Sequence, residues 1–128
     1  MSSPQDLRYT KSHEWVRREG DTVVVGITHY AQNSLGDVVH VEMPEEGDAF
    51  EQGAEAAEIE SVKAVSSIYA PVSGTVLGIN EAIEDGPEVV NDDAYGEGWL
   101  FKLSLADASE LESLMSAEAY GQHIEAEG

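Results

Sequence analysis

Glu58-Ile59-Glu60-Ser61-Val62-Lys63-Ala64-Val65-Ser66 sets one lysine between two runs of β-type residues. The second run ends at Ala70-Pro71-Val72-Ser73-Gly74, which has turn chemistry, and Thr75-Val76 opens the next run. Lysine is scarce elsewhere, with only Lys11 and Lys102 besides in a chain of 128 residues. Local sequence leaves three readings of Lys63 open. It is a solvated cation offsetting Glu58 and Glu60, a Schiff-base lysine, or a modified lysine carrying an acyl group outward from a hairpin tip. The second needs a desolvated amine, whereas the flanking acids hold this one protonated. The third suits an exposed tip, which gives access without disturbing a core.

Outward from this stretch the pattern stays mostly β. Thr22 to Ile27 is rich in β-branched residues and follows the turn Gly20-Asp21. Val39, Val41 and Met43 alternate with His40 and Glu42, and Pro44 stops the run. Thr75, Leu77 and Ile79 alternate with Val76, Gly78 and Asn80, and Trp99, Phe101, Leu103 and Leu105 form the cleanest alternation. The last pattern puts Trp99 on a buried face, and Trp15 also reads as core. Thr28 is placed to cap a short helix over 28–35 that carries Ala31 and Leu35 and stops at Gly36. Ser109 and Glu112 form a capping box before Leu111, Leu114 and Met115, with helix continuing over 117–124 and fraying at 125–128. Short strands with such helices predict one compact β domain, 1–128. Its core spans about 22–105, and a helical segment covers about 108–124.

Composition narrows the function. The formal net charge is −20, from 26 acidic against 6 basic residues, and there is no cysteine. Thiolate catalysis, disulfides and cysteine-based metal sites are excluded. Nucleic acid and anionic membrane are poor partners for such a surface. His13, His29, His40 and His123 share no ligand spacing, so no metal is expected. The N-terminus lacks a basic-then-apolar signal and no run is long enough to span a membrane, which points to the cytoplasm. The acids are interspersed rather than collected in a tail, as expected for a folded core under a carboxylate-rich surface adapted to high salt. Docking on basic partners is the alternative reading of the same acidity.

Several motifs together resemble one family. Glu60-Ser61-Val62-Lys63-Ala64 followed by Ala70-Pro71-Val72-Ser73-Gly74-Thr75-Val76 is similar to the lipoyl-attachment signature of the glycine cleavage system H proteins. Tyr9-Thr10-Lys11-Ser12-His13-Glu14-Trp15-Val16 resembles that family's opening, and Gly26-Ile27-Thr28, Ala31-Gln32 and Leu35-Gly36-Asp37-Val38-Val39 its first helix and next strand. Met43-Pro44-Glu45 stands where the family has Leu-Pro-Glu. Pro87-Glu88-Val89-Val90-Asn91 with Tyr95-Gly96-Glu97-Gly98-Trp99-Leu100 resembles its closing segment. Other lipoyl domains usually carry Asp-Lys-Ala and biotinyl domains Met-Lys-Met, so Val62-Lys63-Ala64 after Glu60-Ser61 favours the H proteins. The chain departs at Ser67, where the family often has an acid, and at Ala94, where it usually has proline.

The resemblance implies a mainly β fold of the lipoyl/biotinyl barrel-sandwich hybrid (hammerhead) type, with Lys63 at a hairpin tip. It implies a non-catalytic carrier with lipoate joined covalently to the Lys63 ε-amino group. Glu60, Ser61, Val62, Ala64, Gly47 and Gly74 complete the attachment motif, the glycines serving turns where a Cβ would obstruct. Ser12, His13 and Glu14 are candidates for docking the arm, Glu14 by pairing with a cationic aminomethyl nitrogen. The implied partners are the pyridoxal-phosphate glycine decarboxylase, the tetrahydrofolate-dependent aminomethyltransferase and dihydrolipoamide dehydrogenase. A lipoate ligase or a lipoyl/octanoyl transferase would load the lysine. A relay passing lipoyl groups to 2-oxoacid dehydrogenase complexes needs the same acylated lysine. An autonomous enzyme finds no nucleophile–base pair in the chain.

Overall fold

The protein is described by a computed structural model covering residues 7–107 and 109–127. In chain order the strands are β1 (Arg8–Tyr9), β2 (Glu14–Glu19), β3 (Thr22–Ile27), β4 (Val38–Glu42), β5 (Ala49–Phe50), β6 (Glu55–Ser61), β7 (Val65–Tyr69), β8 (Gly74–Ile79) and β9 (Phe101–Ser104). The helices are α1 (His29–Leu35), α2 (Glu81–Asp85), α3 (Val89–Asp92), α4 (Ser109–Glu112) and α5 (Ala117–Glu127). The fold is mainly β, with two antiparallel sheets and short helices. One sheet has the order β1-β2-β3-β9-β8-β5 and the other β4-β6-β7.

The apolar run Thr22–Ile27 is explained by its position, because β3 is covered on both faces. Val23, Val25 and Ile27 enter the main core with Ile59, Ile68, Val76, Leu100, Phe101 and Leu103. Val24 points the other way, into a second cluster of Leu7, Tyr9, Trp15 and Tyr120. A strand buried on both faces reads as continuous rather than alternating. Helix α5 supplies Tyr120, whose ring stacks on Tyr9 at 4.7 Å. Tyr9 and Met115 exchange two backbone hydrogen bonds of 2.8 Å, tying the C-terminal segment to β1.

Helix α1 forms as its caps predict. The Thr28 hydroxyl accepts from the Ala31 amide at 3.2 Å, and Gly36, at φ +79°, donates its amide to the Gln32 carbonyl. Other expectations need correction. The period-2 reading of 39–43 fails at a bulge between Val38 and His40, which buries Val38 and Val41 and turns Val39 outward. A second bulge between Val76 and Gly78 leaves Leu77 exposed. A bulge adds one residue to one strand, so side chains beyond it change face. Trp99 lies before β9 rather than in it and is half-buried, with Lys102 Nζ 5.2 Å from its ring centre, while Leu100 is fully buried. Ser109 does not form the capping box. It lies inside α4 and donates its amide and hydroxyl to Asp107 Oδ1, at 3.0 and 2.6 Å, so Asp107 takes the capping role. Helix α5 runs to Glu127, past the expected end at 124, and Gly128 lies outside the described residues, as does Ala108.

Candidate functional site

The hairpin β6–β7 ends at the pair Glu60↔Val65, leaving Ser61 to Ala64 to make the turn. Ser61 is buried and organises it. Its amide donates to the Ala64 carbonyl at 2.8 Å, and its hydroxyl accepts from the amides of Ala64 (3.1 Å) and Lys63 (3.4 Å). The Val62 amide donates to the Asp37 carbonyl at 3.0 Å, anchoring the tip to the loop after α1. Lys63 therefore sits exposed on a turn whose own amides are satisfied. The lysine stem passes over Gly36, where a Cβ would stand 3.4 Å from Lys63 Cε.

The loop under the tip is held by Asn91, a residue to which sequence pattern gives no role. Its side-chain amide donates to the Gly36 carbonyl (2.8 Å) and to Gln32 Oε1 (3.0 Å), and its oxygen accepts from the Val38 amide (2.8 Å). Gly47 and Gly74 lie elsewhere. Gly47 has φ +93°, a conformation that favours glycine. A Cβ on Gly74 would fall 1.9 Å from the Ser104 carbonyl oxygen, so that position is a close backbone approach. Neither glycine has the 61–64 turn among its nearest neighbours.

Beside β7 the segment 12–14 forms the second part of the site. Glu14 has no exposed surface. Its Oε1 accepts from the hydroxyls of Thr10 and Ser12, the latter at 2.6 Å, and Oε2 accepts from the Tyr69 amide at 3.3 Å. Burial pushes its pKa above the ordinary carboxylate value, and the hydroxyl and amide donors oppose that rise less strongly. Among the described residues no cation pairs with Glu14. His13 is held at φ +71°, and its Nδ1 lies 2.8 Å from the Tyr120 hydroxyl, which also shares a 2.6 Å hydrogen bond with Thr28. The α5 helix thus fixes the turn that presents Ser12 and Glu14.

Two clefts meet at Ser12. One of about 240 Å³ runs between α1 and β7, with Ile27, Tyr30, Ala31, Leu35 and Ile68 as apolar wall and Ser66 at the end nearer the tip. The other, of about 340 Å³, is lined by Glu14, Tyr69 and Ser12 together with Gln52, Pro71 and Met115. The structure brings Ser12, His13 and Glu14 to the strand that leads from Lys63. It places Ser67 half-buried on that strand, and the carbonyl of Ala94 accepts from the Trp15 indole N–H at 2.8 Å. Thr10 and Tyr69 join the site unannounced by their sequence, because their part is to donate to a buried carboxylate.

A model of the glycine cleavage H-protein family matches residues 7–127. The chain is 56% identical over 123 residues to the glycine cleavage system H protein of Pseudoalteromonas translucida, covering 95% of each chain. It is 54% identical over 127 residues to that of Thermus thermophilus, covering 99% of each. The crystal structure of a glycine cleavage system H protein from Mycobacterium marinum superposes with a TM-score of 0.85 at 38% identity, covering 94% of this chain and 98% of that one. With an exposed lysine on a built hairpin tip, two antiparallel sheets and a match along nearly its whole length, this chain belongs to the glycine cleavage H-protein family.

Proposed function

We propose that the chain is a lipoyl-lysine carrier, acylated on Lys63, that delivers the aminomethyl group of glycine between enzymes of the glycine cleavage system. The observation that carries this is the succession of an exposed lysine, an apolar cleft along β7 and a buried carboxylate without a cation. The residues fit the group. The chain spans at most about 3.3 Å per residue, so Ser66 lies no more than about 10 Å from Lys63 and Ile68 no more than about 17 Å. A lysine plus lipoyl arm of about a dozen bonds reaches on the order of 10–15 Å. Ile27, Ala31, Leu35 and Ile68 offer it an apolar bed, and Ser12 and Glu14 stand at the far end. When attached, lipoate would supply a disulfide able to take up the aminomethyl group and, once reduced to the dithiol, to give up electrons, chemistry a cysteine-free chain lacks.

What the chain itself contributes is positioning and charge. Ser61 fixes the tip, the cleft excludes water from the arm, and Glu14 neutralises the ammonium of the cargo in a charge-assisted hydrogen bond. A buried carboxylate lacking a countercharge is costly, and a cationic cargo relieves that cost. A relay of lipoyl groups has no cation to neutralise, so Glu14 favours the aminomethyl shuttle. The partners in this reading are the pyridoxal-phosphate glycine decarboxylase, the tetrahydrofolate-dependent aminomethyltransferase and dihydrolipoamide dehydrogenase. Reconstitution tests it. The lipoylated protein should support glycine decarboxylation by the partner enzyme, and Glu14→Gln should release ammonia from the loaded protein at least severalfold faster. Efficient lipoyl transfer to a 2-oxoacid dehydrogenase with no glycine-dependent turnover would overturn the shuttle.

A further inference from the structure

The tip carries more than its lysine. Among the described residues five large apolar side chains stand exposed, and three of them belong to this corner: Val62 (67%), Val65 (60%) and Val39 (49%). Val62 and Val65 flank Lys63 on either side of the turn. Val39 is turned outward by the β4 bulge, on the strand that pairs with the last residues of β6. Exposed carboxylates of Asp37 and Glu60 rim the same corner. On a molecule of net charge −20, such a concentration of bare aliphatic surface calls for a partner.

Resting on the carrier reading, we propose that Val62 and Val65, with Val39 beside them, form the docking surface for the acyl-transfer enzyme that loads Lys63. That enzyme would present an apolar seat rimmed by basic side chains. Reach selects this occupant over the others. A bare lysine extends only about 6 Å from its Cα, so an enzyme acting on the amine itself must close over the turn. Enzymes acting at the end of a loaded arm work on the order of 10–15 Å away and can leave the tip uncovered. In the step itself the Lys63 Nζ bonds to the acyl carbon of a lipoyl adenylate made from lipoate and ATP. The acyl–phosphate bond breaks, AMP departs, and the ammonium gives two protons to solvent. The valines take no part in that chemistry. They hold the turn in register so that the amine meets the acyl carbon, which acts through binding more than through turnover.

The test uses the full-length apo protein, a lipoate–protein ligase, lipoate and ATP. Val62→Ser/Val65→Thr should lower kcat/KM for acylation about tenfold or more, with most of the change in KM and kcat within about twofold. The conservative pair Val62→Ile/Val65→Ile should stay within about threefold of wild type. After exhaustive loading, turnover of the polar variant by dihydrolipoamide dehydrogenase should match wild type within about twofold, and its circular dichroism melt should be unchanged. An unaltered KM in the polar variant overturns the docking surface while leaving the carrier reading intact. An equal loss with dihydrolipoamide dehydrogenase overturns the assignment to the acylating enzyme. Failure of wild-type protein to accept lipoate at all overturns both.

Discussion

Glu14 shows what a residue's neighbours do to its chemistry. In the sequence it is one of 26 acids, singled out only by the resemblance of Ser12-His13-Glu14 to the family's opening. Its burial was not legible, because it depends on a turn closed from a distance by Tyr120 and on a hydrogen bond from Tyr69, in another sheet. That burial has a measurable consequence. Since its folded pKa is raised, the folded state holds the Glu14 proton more tightly than the unfolded chain does. The group's contribution to stability is most favourable below the ordinary carboxylate range and is lost as pH rises through the raised value. Glu14→Gln is neutral throughout and lacks that loss. Thermal melts of both proteins from pH 4 to pH 7 should show the Gln variant gaining on wild type as pH rises. A difference that is constant or shrinks toward neutrality would contradict the account.

At the scale of elements, hydrophobic patterning located β3, β9 and α1 but missed where strands change face. Val39, grouped with Val41 by strict alternation, is turned out by a bulge that no local residue type announces, and Leu77 stands exposed at a second bulge, beside Gly78. The cap of α4 was misread for a related reason. Asp107 and Ser109 both carry capping side chains, and Asp107 is the acceptor, taking both the amide and the hydroxyl of Ser109. The tip itself was legible through Lys63, but its support was not, since Asn91 lies more than fifty residues from the backbone groups it satisfies. Asn91→Ala would strip partners from the Val38 amide and the Gly36 carbonyl. Leaving such groups unsatisfied costs about 1–3 kcal/mol. Urea unfolding should show that loss with an unchanged slope, and a loss below about 0.5 kcal/mol would remove Asn91 from the support of the tip.

For the whole molecule the sequence carried the mainly β class and the family. It did not carry the division into two apolar clusters, because the covering of the second by α5 depends on where a C-terminal helix docks. No helix among the described residues is long and apolar enough to cross a membrane. The surface charge sets the response to salt. With a net charge of −20 on 128 residues, carboxylates crowd one another and their repulsion opposes compaction. The Debye length falls from about 10 Å at 0.1 M to about 3 Å at 1 M salt, so molar salt screens most of that repulsion. The melting temperature should climb between 0.1 and 3 M KCl. A flat or falling curve would reject adaptation to high salt and leave docking on basic partners as the account of the acidity. The same screening makes apolar contact at Val62 and Val65 the more salt-tolerant part of any docking surface.

Lipoylation of Lys63 is settled by peptide mapping of the protein after incubation with lipoate, ATP and a lipoate ligase. Lipoyl is expected on the Lys63 peptide alone, and nowhere in Lys63→Arg, which keeps the charge but removes the acylatable amine. Lipoyl on Lys11 or Lys102, or a Lys63→Arg protein still modified, would contradict that assignment.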